Sequence, residues 1–428
     1  MKLHAIWATA TAAAALVASG AACAAPAKTP QFGDPIAVSD TITIDPMLDA
    51  RLRWENVDQP TIGADAVTMR IRSGFEITDK PAQLSLLAEA EGTLALVDHY
   101  NAFAFAVPSS QRRTQYGVIA DPQTVELNRL QLQYKTKALT LTAGRQRINL
   151  DDQRWVGASG WRQNEQTFDA VRAELREGKL SLDATYADAQ RTVFGADAGP
   201  RVAYDGAFTL LGAGAKAGPV QLKGFAYLLD YDPSAQVGIA ANVDTQTYGG
   251  RATTSLALAK GLKLNLAASY ARQSSWKQNP AHYAVTYLAG EAGLAYDGWA
   301  LTGGYEKMGS ALGSDAKYHA VQTPMATLHK FNGWADLFLT TPANGIQDSY
   351  LGLAKAFPKL TAVHGLNVAV IYHQFDSDTG GLDYGHEWDA SLGWKVRKVV
   401  FLAKFADYRA RAFGVNTRKL WLQAEYGF

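Results

Sequence analysis

The sequence predicts an all-β chain closed into a transmembrane, antiparallel, up-and-down barrel of about 18 strands, of the outer-membrane type. Three observations carry that expectation. Apolar and polar residues alternate with a period of two from Met47 to the C-terminus, short and long links alternate between the runs, and a secretory leader precedes them.

Composition narrows the field first. The 428 residues are 47% hydrophobic and only 19% charged, with 11% aromatics. Disordered chains show the reverse balance. Past the first twenty-five positions no apolar run reaches the length of a membrane helix, so a helical membrane protein is excluded. Lys and Arg total 41 against 40 Asp and Glu, which argues against a nucleic-acid binder working through global positive charge.

Taken in order, residues 1–24 read as a signal peptide. Lys2 and His4 lead into the apolar run 5–17, and Ala22, Cys23 and Ala24 form a small-residue cleavage site. Losing Lys2 with the leader leaves basic and acidic residues in balance, and losing Cys23 leaves no cysteine for a disulfide. Lipidation of Cys23 is the rival reading, but Gly20 stands where such anchors carry a large aliphatic residue. Residues 25–46 read as a short periplasmic segment and 47–428 as the barrel.

Within the barrel, Leu48, Ala50, Leu52 and Trp54 alternate with Asp49, Arg51, Arg53 and Glu55. Val67, Met69 and Ile71 alternate with Thr68, Arg70 and Arg72, and later runs through Leu84–Ala90, Leu262–Tyr270 and Trp388–Trp394 repeat the pattern. The last stretch sets Leu420, Leu422, Ala424, Tyr426 and Phe428 against Lys419, Gln423 and Glu425. Short links rich in Gly, Pro, Asp or Lys fall near 78–81, 135–137, 177–179, 217–219, 260–261, 297–298, 358–365 and 395–398. Longer links fall at 95–123, 151–165, 189–203, 231–243 and 309–346, and strict alternation of the two kinds is the expectation. Trp54, Tyr134, Trp299, Trp394, Trp421, Tyr426 and Phe428 lie near strand ends and suit interfacial girdles.

A one-sided apolar pattern repeated along a whole chain needs a continuous apolar phase. About eighteen strands enclose a lumen too wide for side chains to fill, so the apolar face must turn outward to lipid and the lumen must be wet.

Four segments resemble the alginate-export family of outer-membrane barrels and its porin-like relatives. They are 118–129 (VIADPQTVELNR), 143–170 (AGRQRINLDDQRWVGASGWRQNEQTFDA), 304–307 (GYEK) and 322–348 (QTPMATLHKFNGWADLFLTTPANGIQD). The closing YGF is similar to the terminal aromatic signal by which barrels are recognised for insertion. The resemblance covers essentially the whole mature chain. It implies a monomeric eighteen-stranded barrel and, in the characterised branch, an arginine-lined conduit for an anionic uronate polymer.

Candidate pore-lining residues follow from the strand phase. Folding the hairpin about 79–80 puts Arg70 opposite Glu89, with Arg72 and Glu91 on the same polar faces. That is either an ion-pair ladder stiffening the wall or a transverse field that orients solutes. Arg129, Arg145, Arg147, Arg154, Arg162 and Arg172 form a second, arginine-dense group. Folding about 136–137 pairs Leu132 with Leu141 and sets Arg129 inward beside Gly144. Arg145 and Arg147 then fall in the lipid phase unless a β-bulge near Gly144 turns them. Guanidiniums at a constriction suit carboxylates, which they grip with two donors; loop salt bridges with Glu126, Asp151 and Asp152 are the plainer reading.

In the link 324–342, Leu328, Phe331, Ala335 and Phe338 recur at helical spacing, with His329, Lys330 and Asp336 off the stripe. A short amphipathic helix folded into the pore, or packed as a lid on the rim, is expected. Asp376, Asp378 and Asp383 around Gly380 and Gly381 read as a solvated acidic loop or a Ca²⁺ loop. No serine elbow or zinc spacing appears; Ser159 is followed by Gly160 and Trp161.

The expected function is a passive outer-membrane channel for carboxylated saccharides or an anionic exopolysaccharide such as alginate, without catalytic residues, metal or cofactor. A general porin with little selectivity, and less so a barrel enzyme, are the alternatives. Expected surroundings are outer-membrane lipid and an anionic saccharide, without nucleic acid; periplasmic partners for export or uptake are left open.

Overall fold

The computed structural model describes residues 33–233, 244–358, 360 and 363–428. The expected signal peptide 1–24, with Cys23, and residues 25–32 lie outside them. The strands are β1 (Ile36–Ala37), β2 (Ile42–Gln59), β3 (Ile62–Asp79), β4 (Leu84–His99), β5 (Thr124–Lys135), β6 (Leu139–Gln146) and β7 (Thr167–Glu177). There follow β8 (Leu180–Arg191), β9 (Ala203–Ala217), β10 (Val220–Tyr231), β11 (Thr245–Ala259), β12 (Leu262–Ser275), β13 (Ala284–Tyr296) and β14 (Trp299–Met308). The last are β15 (Ser310–Leu312), β16 (Tyr318–Ala320), β17 (Ile346–Ala356), β18 (His364–Asp376), β19 (Asp383–Val396), β20 (Val399–Ala410) and β21 (Thr417–Gly427).

Eighteen of these, β2–β14 and β17–β21, form one closed antiparallel wall. Leu52 of β2 sits opposite Met69 of β3 on one side and Ala424 of β21 on the other, which shuts the ring and leaves no open sheet edge. β1 pairs with the start of β2, and β15 with β16 makes a small hairpin in an outer link.

Burial runs opposite to that of a water-soluble protein. On β3, Ile71 is 42% exposed while its neighbours Arg70 and Arg72 are 0% and 2% exposed. On β5, Leu130 and Leu132 are exposed while Gln131 and Gln133 are half-buried. Such a surface is stable only where hydrocarbon meets the apolar side chains, so the barrel stands in the bacterial outer membrane.

Several expectations change in detail. The first wall strand begins at Ile42 rather than Met47, so the segment 25–46 overlaps the barrel. Link lengths do not alternate strictly: β2 and β3 are joined on the outer side by residues 60–61 alone, whereas the periplasmic link 357–363 is longer. Both analysed hairpins turn later than expected, the first by two residues and the second by one. Arg70 faces Thr93, Arg72 faces Glu91 and Gly74 faces Glu89, because the turn spans 80–83. Leu132 likewise faces Ala143 and Tyr134 faces Leu141. The inside–outside phase is unaffected, since a shift of this kind preserves the period of two.

Trp421 is no girdle residue. It shares the phase of Lys419 and Gln423, lies in the lumen and is fully buried. The link 324–342 holds only a three-residue 3-10 turn, Leu328–Lys330, instead of an amphipathic α-helix. Its apolar stripe is used without a helix: Ala335 and Phe338 are buried among lumen-side aromatics. The outer link 100–123 folds back on the rim, where the Gly117 N–H donates to the Gly63 carbonyl (2.8 Å) and Tyr100, Phe103 and Ile119 form a satellite core.

Gly144 on β6 carries a φ of +108°, and a Cβ there would stand 2.3 Å from the Leu130 carbonyl oxygen. Gly144→Ala is expected to destabilise the barrel by about 1–3 kcal/mol. At Gly290 an added Cβ meets nothing within 4 Å, and Gly290→Ala is expected to stay within about 0.5 kcal/mol of the parent. The check is the temperature at which each variant loses its folded band on unheated detergent gels; equal temperatures would contradict the account.

Candidate functional site

The alternation of β2, β3 and β4 aims a dense set of charges at the lumen. Arg51 pairs with Glu425 (3.2 Å), Arg70 with Asp49 and with Glu425 (3.5 Å), and Arg72 with Glu91 and with Glu165 (3.5 Å). Arg53 meets Asp121 (3.3 Å) and donates to Gln423. Arg129 grips Glu89 with two donors, Nε to Oε1 at 2.8 Å and Nη2 to Oε2 at 2.7 Å. This is the ion-pair ladder of the sequence reading, with a different register and more members. Arg53, Arg70, Arg72, Glu91 and Glu165 are all essentially closed to water. Removing one partner from such a pair typically costs about 3–5 kcal/mol, because a bare charge is left in a dry place.

Three of the ladder's carboxylates come from links, not strands. Asp121 belongs to 100–123, Glu165 to 147–166, and Asp336, which holds Arg162 at 2.9 Å and Lys419 at 3.4 Å, to 309–345. Arg51 Nη1 donates to the carbonyls of Gly160, Trp161 and Arg162 at 3.1–3.2 Å, and Arg53 Nη2 to that of Trp161 at 2.6 Å. The link 147–166 is thereby tied to the wall inside the barrel.

The link 309–345 docks against it. Trp161 stacks on His329 with ring centroids 4.3 Å apart and planes 5° from parallel. Lys404 of β20 lies over Trp161 (4.1 Å) and Trp334 (3.6 Å), and its Nζ is 2.8 Å from His329 Nε2. The backbone N–H groups of Trp334 and Ala335 donate to Asp389 (3.2 Å) and Glu387 (2.7 Å) of β19. With Lys404 donating to Nε2, the proton of His329 sits on Nδ1 and donates to Asp336 (2.8 Å). Burial and Lys404 hold His329 well below its ordinary value against the opposing pull of Asp336. Asp336 is held well below the carboxylate range: burial opposes this, but His329, Lys419 and Arg162 outweigh it.

The other side of the lumen is wetter. Arg172 of β7 pairs with Asp183 and with Glu174 (3.2 Å), Lys223 of β10 with Asp151 (2.9 Å) and Arg251 of β11 with Asp152 (2.8 Å). Arg147 meets Glu165 at 2.5 Å, and Lys330 donates to the Asp152 carbonyl at 2.8 Å. Side chains of Arg129, Arg147, Arg172, Lys223 and Arg251 keep 14–24% of their surface open, against 0–2% for Arg53, Arg70 and Arg72.

The remaining sequence candidates divide. Arg154 pairs with Glu306 (2.8 Å) in the dry half, beside Phe331. Arg145 is not a lumen residue. The β5–β6 register runs unbroken through Gly144, so the expected bulge is absent and Arg145 stays on the outward face opposite Leu130, paired with Asp169 (2.7 Å). Arg147 reaches the lumen only because it lies beyond the end of β6. Asp378 meets Lys307 (3.3 Å) and the Ser310 N–H, Asp383 meets Arg411 (3.2 Å), and the three loop aspartates do not gather round one point.

Residues the sequence reading passed over include Arg51 and Arg53, which shared the quoted polar face of β2 and were open to the same phase argument. Lys223, Arg251, Lys404, Glu387 and Asp389 were also accessible by phase. Glu165, Trp161 and Asp121 carried no periodic signal, since their positions depend on how the links fold.

Residues 63–306 match the alginate export family. No curated protein sequence matches the chain. Among solved structures, the fold is similar to OccAB3 of Acinetobacter baumannii, at 15% identity and a TM-score of 0.67, covering 90% of this chain and 99% of that one. It is also similar to the outer membrane protein OpdK of Pseudomonas aeruginosa, at 15% identity and 0.67, covering 90% and 98%. The structure of OpdK with vanillate gives 14% and 0.69, covering 91% and 98%.

The His329 dock generates a pH dependence. Undocked, His329 takes up a proton near its ordinary 6.5, and docked it does not, so the undocked state binds more protons as pH falls. Docking is therefore full above that value and weakens below it; Asp336 adds in the same sense at still lower pH. Single-channel conductance is expected to be larger at about pH 5 than at about pH 7.5, and His329→Gln to flatten the difference. A parent conductance indifferent to pH would contradict it.

Proposed function

The chain belongs to the alginate export family and is an outer-membrane channel-type barrel, and from that premise we propose that it passes carboxylated saccharides by passive diffusion. The observation that carries this reading is the half-wet line of cations from β5 round to β11. Arg129, Arg147, Arg172, Lys223 and Arg251 stay partly open to the lumen while Arg53, Arg70 and Arg72 are sealed. A guanidinium has five donors, more than one carboxylate takes, so a passing carboxylate is handed from one cation to the next without stripping the resident acid.

The docked links 147–166 and 309–345 act as the constriction. They hold the solute to the wet side, where pairs are exchangeable, and keep it from the dry ladder, where exchange would expose a bare charge. A short saccharide or other small carboxylate fits beside the docked links, and a polymer strand passes when 309–345 is released. OpdK with vanillate supports small carboxylates as solutes for this architecture. No chemical step is required of the protein: diffusion down a gradient takes neither catalytic group nor cofactor.

Each wet cation has an acid beside it, so the anion preference of the parent is modest. Replacing Arg129, Arg147 and Arg172 by Gln leaves Glu89 and Asp183 without their arginines and Glu165 with Arg72 alone, and changes the lumen charge by three units. Reversal potentials in a salt gradient across a planar bilayer are expected to show anion preference for the parent and cation preference for the triple variant. A cation-preferring parent would contradict the proposal.

A further inference from the structure

Trp334, Trp421, Phe225, Tyr227 and Tyr287 of the lumen are buried, whereas Trp155, on the link 147–166, is only half-buried. Its indole packs on three rings of the wall. Tyr287 of β13 meets it edge-on with centroids 5.2 Å apart, and Phe225 and Tyr227 of β10 lie at 5.8 and 6.5 Å. The wall between β10 and β13 is cleared for this. At Gly249 of β11 an added Cβ would stand 2.4 Å from the Phe225 ring and 2.7 Å from the Ala271 Cβ of β12, so a side chain there would lift Phe225 and the indole seated on it. The indole N–H of Trp155 takes no partner among the described residues and is open to the lumen, unlike those of Trp161 and Trp421, which are buried.

Two of the half-wet cations stand beside this ring. Lys223 precedes Phe225 by two residues on the same face of β10, about 7 Å along the strand. Arg251 of β11 lies directly across from Lys223 in the register. The link brings an acid to each, Asp151 to Lys223 at 2.9 Å and Asp152 to Arg251 at 2.8 Å, and Trp155 follows on the same link. One short stretch, 151–155, therefore sets an indole and two carboxylates against a pair of adjacent cations. Those pairs leave donors over. Arg251 reaches Asp152 and Ser269 through Nη1 alone, so Nε and Nη2 stay free, and the Lys223 ammonium has three donors for one acid.

We propose that Trp155, Lys223 and Arg251 form a binding station for one pyranose ring that bears a carboxylate, with the ring laid on the indole and the carboxylate on the two cations. The inference rests on the carboxylated-saccharide reading above and adds to it the residue that reads the ring. A pyranose with equatorial hydroxyls carries axial C–H groups on its faces, and their slight positive charge suits the negative face of an indole. The carboxylate takes the free donors of Arg251 and Lys223. Ring hydroxyls meet the partly open carboxylates of Asp151 and Asp152 and the free indole N–H. A flat aromatic acid would stack equally but leave those polar groups unused, so the surroundings favour a sugar. An open-chain sugar acid of equal charge has no face to lay on the indole. The station thereby separates ring from chain where charge alone does not.

The test uses the full chain in a planar bilayer carrying chloride current, with glucuronate, gluconate and benzoate as blockers. Glucuronate and gluconate carry one charge each and differ as ring against open chain. The parent is expected to be half-blocked by glucuronate at about a fivefold lower concentration than by gluconate. Trp155→Leu, which keeps apolar bulk on Phe225, Tyr227 and Tyr287, is expected to abolish that difference by weakening glucuronate alone. Trp155→Phe keeps an aromatic face and is expected to retain part of the difference; it carries the test if the leucine variant gives no folded band on unheated detergent gels. Equal half-blocking in a parent that remains anion-preferring overturns the station and leaves the channel reading standing; a parent without anion preference overturns the channel reading itself. A difference untouched by the substitutions, or a loss of both sugar acids together, assigns the indole to anchoring the link and overturns the proposal. Benzoate blocking at a lower concentration than glucuronate assigns the station to aryl acids and likewise overturns it.

Discussion

Hydrocarbon around the wall is the constraint on which the rest depends. It forbids an unpaired strand edge and rewards an apolar outer face, so strand polarity is driven inward. Charges crowded into the lumen then need partners, and the wall does not supply all of them. Arg53, Arg72 and Lys419 are completed by Asp121, Glu165 and Asp336, which come from three different links. The links enter the barrel because the wall is short of carboxylates at those places. Wall chemistry and pore constriction are thus one event.

The same reasoning accounts for the uneven lumen. Where links dock, Arg51, Arg53 and Lys404 are covered by backbone carbonyls and indole faces, and the pairs are locked. Where a link contributes only a carboxylate, as Asp151 to Lys223 and Asp152 to Arg251, or nothing, as at Arg172, the cation stays partly open and exchangeable. On the proposed reading, a chain with balanced charge presents a cationic lane because selection follows from which cations stay wet and not from net charge.

Much of the wall was legible in the sequence because a period of two needs only local order to be read. The turn positions were less so. The hairpin through Lys80 was centred two residues early, since Asp79 still belongs to β3 and the turn runs 80–83. The phase survived that error, so Arg70, Arg72, Glu89, Glu91 and Arg129 were rightly assigned to the interior while their partners were not. Trp421 shows the opposite failure: its own phase placed it inside, but an aromatic near a strand end suggested a girdle. Arg145 was left waiting on a bulge that the unbroken register excludes. The stripe Leu328, Phe331, Ala335 and Phe338 looked helical, yet the wall supplies partners for the backbone of Trp334 and Ala335, so the link has no need of helical hydrogen bonds there. What could not be read was tertiary: the stack of Trp161 on His329 joins residues far apart in the chain, with no repeat to announce it.

The account's central claim is that lipid, and not a protein interior, bathes alternate side chains of each strand. Adjacent positions of β5 test it most directly. With Cys23 replaced by Ser, a single fluorophore is placed at Leu132→Cys or at Gln133→Cys in the reconstituted barrel, and quenching by acyl-brominated lipid is compared with quenching by aqueous iodide. The account expects the label at 132 to be quenched from the lipid and the label at 133 from water. Iodide reaching both positions, or the reverse pattern, would contradict it.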